Sequence, residues 1–211
     1  MARSRDISKV LSSNSTLATD AEVAATYQTK AGTGLVKIVP SSVVVVSGTG
    51  SADSLGTVTF SGASSVSLNN VFSANYTRYR ILVNATWTGN EGAYFRLRTS
   101  GTDATGSNYG VQNIRGASTT LYGTRAALTN WDLNYTASAG NELFEIELFN
   151  PFAASQTYGF SRYTAKLLAS TTELWLSESG ITHSLSTSYD GITFYSAANT
   201  MIGTASVYGY N

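Results

Sequence analysis

The sequence predicts an all-β protein: a β-sandwich or jelly-roll-like domain preceded by a short helical or extended N-terminal arm. Three observations carry that expectation. From about residue 50 onward, apolar and polar residues alternate with a period of two, as in half-buried strands. Clusters of Gly, Ser and Asn break the runs into short pieces, as turns do. Of the 211 residues, 42% are hydrophobic and 11% aromatic, enough to fill one core although Ser and Thr supply 57 positions.

The arm comes first. Ile7, Val10 and Leu11 stand at i, i+3 and i+4, the spacing of one apolar helix stripe. Thr19 with Glu22 three residues on reads as a capping box, predicting a short helix over about 20–28. Neither helix is long enough to be stable alone, so both need a surface to dock on. Gly32-Thr33-Gly34 breaks the chain. Leu35–Val39 reads as a short strand ended by Pro40. Ser42–Val46, with four valines in a row, reads as a strand buried on both faces or by a partner. Ser47–Ser51 reads as a linker or turn, and the domain boundary is placed there: arm 1–50, β domain 51–211.

Strands then follow one another. Val58-Thr59-Phe60 and Val66-Ser67-Leu68 are short alternating runs. In 78–87, Tyr79, Ile81, Val83, Ala85 and Trp87 share one face, and Arg78, Arg80, Asn84 and Thr86 the other. Ala93, Phe95 and Leu97 alternate with Tyr94, Arg96 and Arg98; Phe144, Ile146 and Leu148 alternate with Glu145 and Glu147. Further strands are expected over 160–170, 173–177, 192–195 and 204–210. Asp190-Gly191 carries the signal of a two-residue hairpin. Eight to ten strands are expected in all.

Composition narrows function. Charged residues are 12%, and 13 basic residues balance 13 acidic ones. No net positive charge is present to drive general nucleic-acid binding. No apolar run approaches the length of a membrane span or a secretory leader. The absence of Cys excludes disulfides, thiolate metal sites and a cysteine nucleophile. No cofactor-binding pattern is found, and no enzyme is expected.

Two groups of residues invite a catalytic reading. His183, the only histidine, lacks surrounding acidic ligands and a Gly-x-Ser-x-Gly elbow, so it reads as a surface or hydrogen-bonded side chain. Glu145 and Glu147, two apart on one strand face, have the spacing of a glycosidase pair. Arg96 and Arg98 repeat that spacing, and a cross-strand ion-pair ladder is the preferred reading. Tyr is abundant, at 13 residues. Tyr94, Tyr109, Tyr122, Tyr135, Tyr158 and Tyr189 fall at expected loops or outward strand faces. Tyr among Ser, Gly and Asn is the composition of adaptable binding surfaces, so these six are candidate receptor contacts.

Several islands carry a resemblance. Met1–Leu11, Leu17–Val23, Gly34–Pro40, Val66–Tyr76, Leu97–Tyr109, Asn150–Phe152 and Gly203–Gly209 together resemble tail-fibre-like virion structural proteins of tailed bacteriophages, of the marine phage type. The resemblance implies a homotrimer anchored to another virion protein through its N-terminal segment. Ile7, Val10, Leu11, Leu17 and Val23 are the anchoring candidates. It further implies a β domain that contacts a host-surface glycan or protein, and a place on the virion tail. A head fibre or decoration protein on the capsid is the alternative. A glycan-cleaving tailspike using Glu145 and Glu147, and a cellular carbohydrate-binding module, are further competitors.

Overall fold

A computed structural model describes residues 34–89, 92–117, 120–133, 141–166 and 174–211. The fold is all-β, with two antiparallel sheets and no helix among the described residues. The strands are β1 (Leu35–Ile38), β2 (Ser42–Val46), β3 (Thr49–Ala52), β4 (Val58–Ala63), β5 (Ser65–Asn69), β6 (Arg78–Trp87), β7 (Tyr94–Thr99) and β8 (Thr102–Asp103). They continue as β9 (Tyr109–Ala117), β10 (Thr120–Leu128), β11 (Trp131–Asp132), β12 (Asn141–Phe149), β13 (Thr157–Lys166), β14 (Leu174–His183), β15 (Gly191–Tyr195) and β16 (Met201–Tyr210).

The larger sheet has ten strands in the order β10-β9-β14-β13-β12-β6-β16-β4-β3. In it β1 also pairs with β16, along Val207–Tyr210, beyond the stretch that pairs with β4. The smaller sheet has six strands, in the order β11-β7-β15-β5-β2, with β8 on β7. Phe60 of the larger sheet meets Phe194 of the smaller at 5.3 Å between ring centroids, and Phe144 meets Phe95 at 5.4 Å. These contacts make the two sheets a sandwich, with the core between their inner faces.

Alternation decides which side chains enter that core. Tyr79, Ile81, Val83, Ala85 and Trp87 are all buried along β6, as are Phe144, Ile146 and Leu148 on β12. Burying one such large side chain contributes roughly 1.5–3 kcal/mol, so these two central strands organise the sandwich.

Several details differ from the sequence reading. Residues 35–50 are not part of an arm: β1, β2 and the start of β3 pair inside the sheets, and the compact β unit runs from Leu35 to Tyr210. The valine strand β2 lies at a sheet edge, with Val43 and Val45 half-buried and Val44 and Val46 exposed, rather than covered on both faces. Between β2 and β3, Ser47 and Gly48 both have positive φ, 58° and 67°. A side chain at 48 would lie 2.1 Å from the Ser61 carbonyl, so this turn requires glycine.

Asp190-Gly191 forms no hairpin, because β14 and β15 belong to different sheets. Asp190 instead ties three segments together. Its N–H donates to the Arg98 carbonyl, its carbonyl accepts from Phe72, and its carboxylate accepts the Ser100 N–H. Gly191 lies in β15, where a Cβ would come 2.4 Å from the Leu68 carbonyl. The glycine is there for close packing and not for a turn. The two expected arm helices and the anchoring candidates Ile7, Val10, Leu11, Leu17 and Val23 lie outside the described residues.

Candidate functional site

Period two along β7 and β15 sends Tyr94, Arg96, Thr193 and Tyr195 to the outer face of the smaller sheet. Register then brings them together. Tyr94 lies opposite Tyr195 on one side and Asp132 on the other, and Arg96 lies opposite Thr193. The Tyr94 and Tyr195 rings are 5.4 Å apart and tilted by 37°. The Arg96 guanidinium sits 4.7 Å from the Tyr195 centroid, a cation–π distance. Arg96 Nε donates to the Thr129 carbonyl at 3.1 Å, and Asn130 Nδ2 donates to the Tyr195 hydroxyl at 3.1 Å. Gly92 leaves room for Tyr94, since a Cβ there would lie 3.0 Å from Tyr94 Cζ.

The floor beside this patch is rigid. Arg98 is buried on the same face and serves as a hub. It donates to Ser67 Oγ (2.7 Å), Thr193 Oγ1 (2.6 Å) and Asn69 Oδ1 (3.1 Å), and also to Asp103 and the Gly101 carbonyl. The Thr193 hydroxyl donates to Asp103 Oδ1 at 2.7 Å. A buried charge held by this many partners fixes the 99–104 loop across the sheet. The result is a half-buried pair of phenol rings, a guanidinium, an amide and a carboxylate on a fixed backbone. Such a surface can stack on a ring or an apolar edge and hydrogen-bond at its rim.

Of the six candidate tyrosines, Tyr94 belongs to this patch. Tyr158 is 53% exposed but lies on the outer face of the other sheet, its hydroxyl donating to Gln156 Oε1 at 2.5 Å. Tyr109 and Tyr189 are buried and cannot reach a receptor. The Tyr109 hydroxyl donates to the Ala104 carbonyl at 2.8 Å and accepts the Leu97 N–H at 3.0 Å, and its ring packs on Trp131 and His183. Burial pushes the phenols of both Tyr109 and Tyr189 up. Tyr122 pairs with Arg115 through its backbone in β10, its side chain lying outside the described residues, as does all of Tyr135.

Tyr195 was missed, although alternation in Ile192–Tyr195 places it outward beside Thr193. Its position at the end of an otherwise buried strand hides that signal. Burial pushes its phenol up, opposed by the neighbouring Arg96 and the Asn130 hydrogen bond.

His183 is fully buried, within 3.1 Å of the Tyr189 hydroxyl at Nδ1. Desolvation lowers its pKa to about 4. Glu145 and Glu147 do form a cross-strand ladder, but with Arg78 and Arg80 of β6 rather than with Arg96 and Arg98, which belong to the other sheet. Arg80 Nη2 lies 3.1 Å from Glu145 Oε1 and 2.9 Å from Glu147 Oε1. Glu147 also accepts from Arg78 Nε at 2.8 Å and from the Tyr210 hydroxyl at 2.5 Å. Burial pushes its carboxyl up, but the bonds from Tyr210, Arg78 and Arg80 outweigh that and hold it below the usual range. A general acid needs the opposite shift. Comparisons with family models, with curated proteins and with solved structures found no match.

Proposed function

We propose that this chain is a non-enzymatic structural protein of a tailed-phage virion, a homotrimeric tail fibre. Its N-terminal segment, ahead of the β unit, attaches to another virion protein, and its β-sandwich contacts a glycan or protein of the host surface. The observation that carries the recognition part is the Tyr94–Tyr195–Arg96 patch, with Asn130 and Asp132 at its edge, set on the Arg98-braced face. The virion part rests on the resemblance of the N-terminal and interspersed segments. The ion-pairing of Glu147 supports a structural role for the carboxylate pair over glycan cleavage.

Host-cell adsorption tests the reading. Full-length protein added at saturation should block phage adsorption, and Tyr94→Ala with Tyr195→Ala should remove the block while leaving the fold intact. Undiminished adsorption at saturating wild-type protein would remove receptor binding from the account. Release of reducing ends from host polysaccharide, abolished by Glu145→Gln, would replace it with the tailspike reading.

A further inference from the structure

The inner face of the larger sheet changes character partway across. Register aligns Ile81, Ile146, Ser161, Ser179 and Asn113 in one transverse row, from β6 through β12, β13 and β14 to β9. The next row runs Val83, Phe144, Tyr163, Ser177 and Arg115 over the same strands. Each row starts apolar on β6 and β12 and is polar on β14 and β9. A sandwich core is built from apolar inner faces, so a polar half of one layer needs its own physical account.

Period two fixes the direction of these side chains. In β14, Ser177, Ser179 and Ile181 are buried, while Leu176, Glu178 and Gly180 between them are exposed. In β13, Ser161 and Tyr163 are buried, and Phe160 and Arg162 are exposed. The two β14 serines stand apart from their neighbours. Each is 4% exposed, its Oγ is sealed from solvent, and neither hydroxyl has a hydrogen-bond partner among the described residues. Buried hydroxyls in folded proteins are nearly always bonded, either to protein or to ordered water. Tyr163 lies beside Ser177 on β13, and Asn113 lies beside Ser179 on β9. The site thus offers the two or more polar partners that an internal water needs.

We infer that this inner face binds internal water, anchored by Ser177 and Ser179. Successive inward positions on one strand lie about 6.6 Å apart. A water bonded to two hydroxyls spans about 5.6 Å at most. Two serines that lean together share one water, and two that stand upright hold one each. The sealing of both hydroxyls favours water, enclosed as the chain folds, over a larger ligand that must enter later. The half of the larger sheet formed by β13, β14 and β9 is therefore joined to the core partly through water. The inference is independent of the virion reading.

Oxygen-17 magnetic relaxation dispersion on the full chain counts its long-lived internal waters and tests the site. A double variant, Ser177→Ala with Ser179→Ala, should hold about one or two fewer than wild type. Each single variant should also melt about 2–4 °C lower, because the water loses a partner. Alanine fits both positions, and circular dichroism checks each fold. Fewer waters at an unchanged Tm would still uphold the site. An unchanged water count in the double variant would overturn the inference. So would a rise in Tm, since removing an orphaned hydroxyl relieves its desolvation.

Discussion

Replacing Glu147 by Gln separates a structural carboxylate from a catalytic one. Glu147 is buried and accepts from Arg78, Arg80 and Tyr210. Removing one partner of a buried ion pair costs about 3–5 kcal/mol. Here the Arg78 and Arg80 side chains are 40% and 32% exposed, so water solvates part of what Glu147 releases. The cost falls to about 2–3 kcal/mol after that screening. For a unit the size of Leu35–Tyr210, a kcal/mol moves Tm by about 2–4 °C, so Glu147→Gln should melt about 5–10 °C lower at neutral pH.

The pH dependence follows from the direction of the shift. The folded carboxyl lies below its unfolded value, so it contributes stability above that unfolded value. The contribution is lost as pH falls through the folded value. Thermal melts followed by circular dichroism should therefore show a large gap between wild type and Glu147→Gln at neutral pH. The gap should close at a pH below the carboxylate range. An unchanged Tm at neutral pH, or a gap that persists undiminished in acid, would refute the reasoning.

Other expectations are as direct. His183 is the only histidine, so its proton resonance is unambiguous; it should titrate near pH 4, and a midpoint in the ordinary range above 6 would contradict its desolvation. Because the folded pKa lies below the unfolded one, stability held above about pH 6.5 should decline towards pH 4. Arg98→Met should cost about 3–5 kcal/mol and expose the 99–104 loop to hydrogen exchange, while a loss under about 1 kcal/mol would show the hub to be weak. Host-cell binding should depend only weakly on salt, because the patch is mostly neutral and the chain carries no net charge. A steep fall with added salt would show long-range charge to dominate.

Much of the fold is legible because the period-two alternation of half-buried strands shows in a single sequence. The alternation in 78–87, 93–98 and 144–148 assigns inner and outer faces correctly, down to the Arg78 and Arg80 side chains that meet Glu147. Which strands neighbour one another was not legible. Arg96 and Arg98 matched the glutamates in spacing as well as Arg78 and Arg80 do, and only the sheet order decides between them. The small, polar stretches were also unreadable: Thr49–Ala52 has no apolar stripe, yet pairs with β4. Tyr109 and Tyr189 misled because Tyr suits a surface and a core equally well. Both are buried with the hydroxyl partnered, Tyr109 by Ala104 and Leu97 and Tyr189 by His183, which residue type alone does not reveal.

The central proposal is that this chain is a fibre projecting from a phage tail. Antibody against the β unit, applied to intact purified particles and seen by electron microscopy, tests it most directly. The account predicts label on fibres extending from the tail, away from the attachment point. Particles without label, or label spread over the head in many copies, would contradict it.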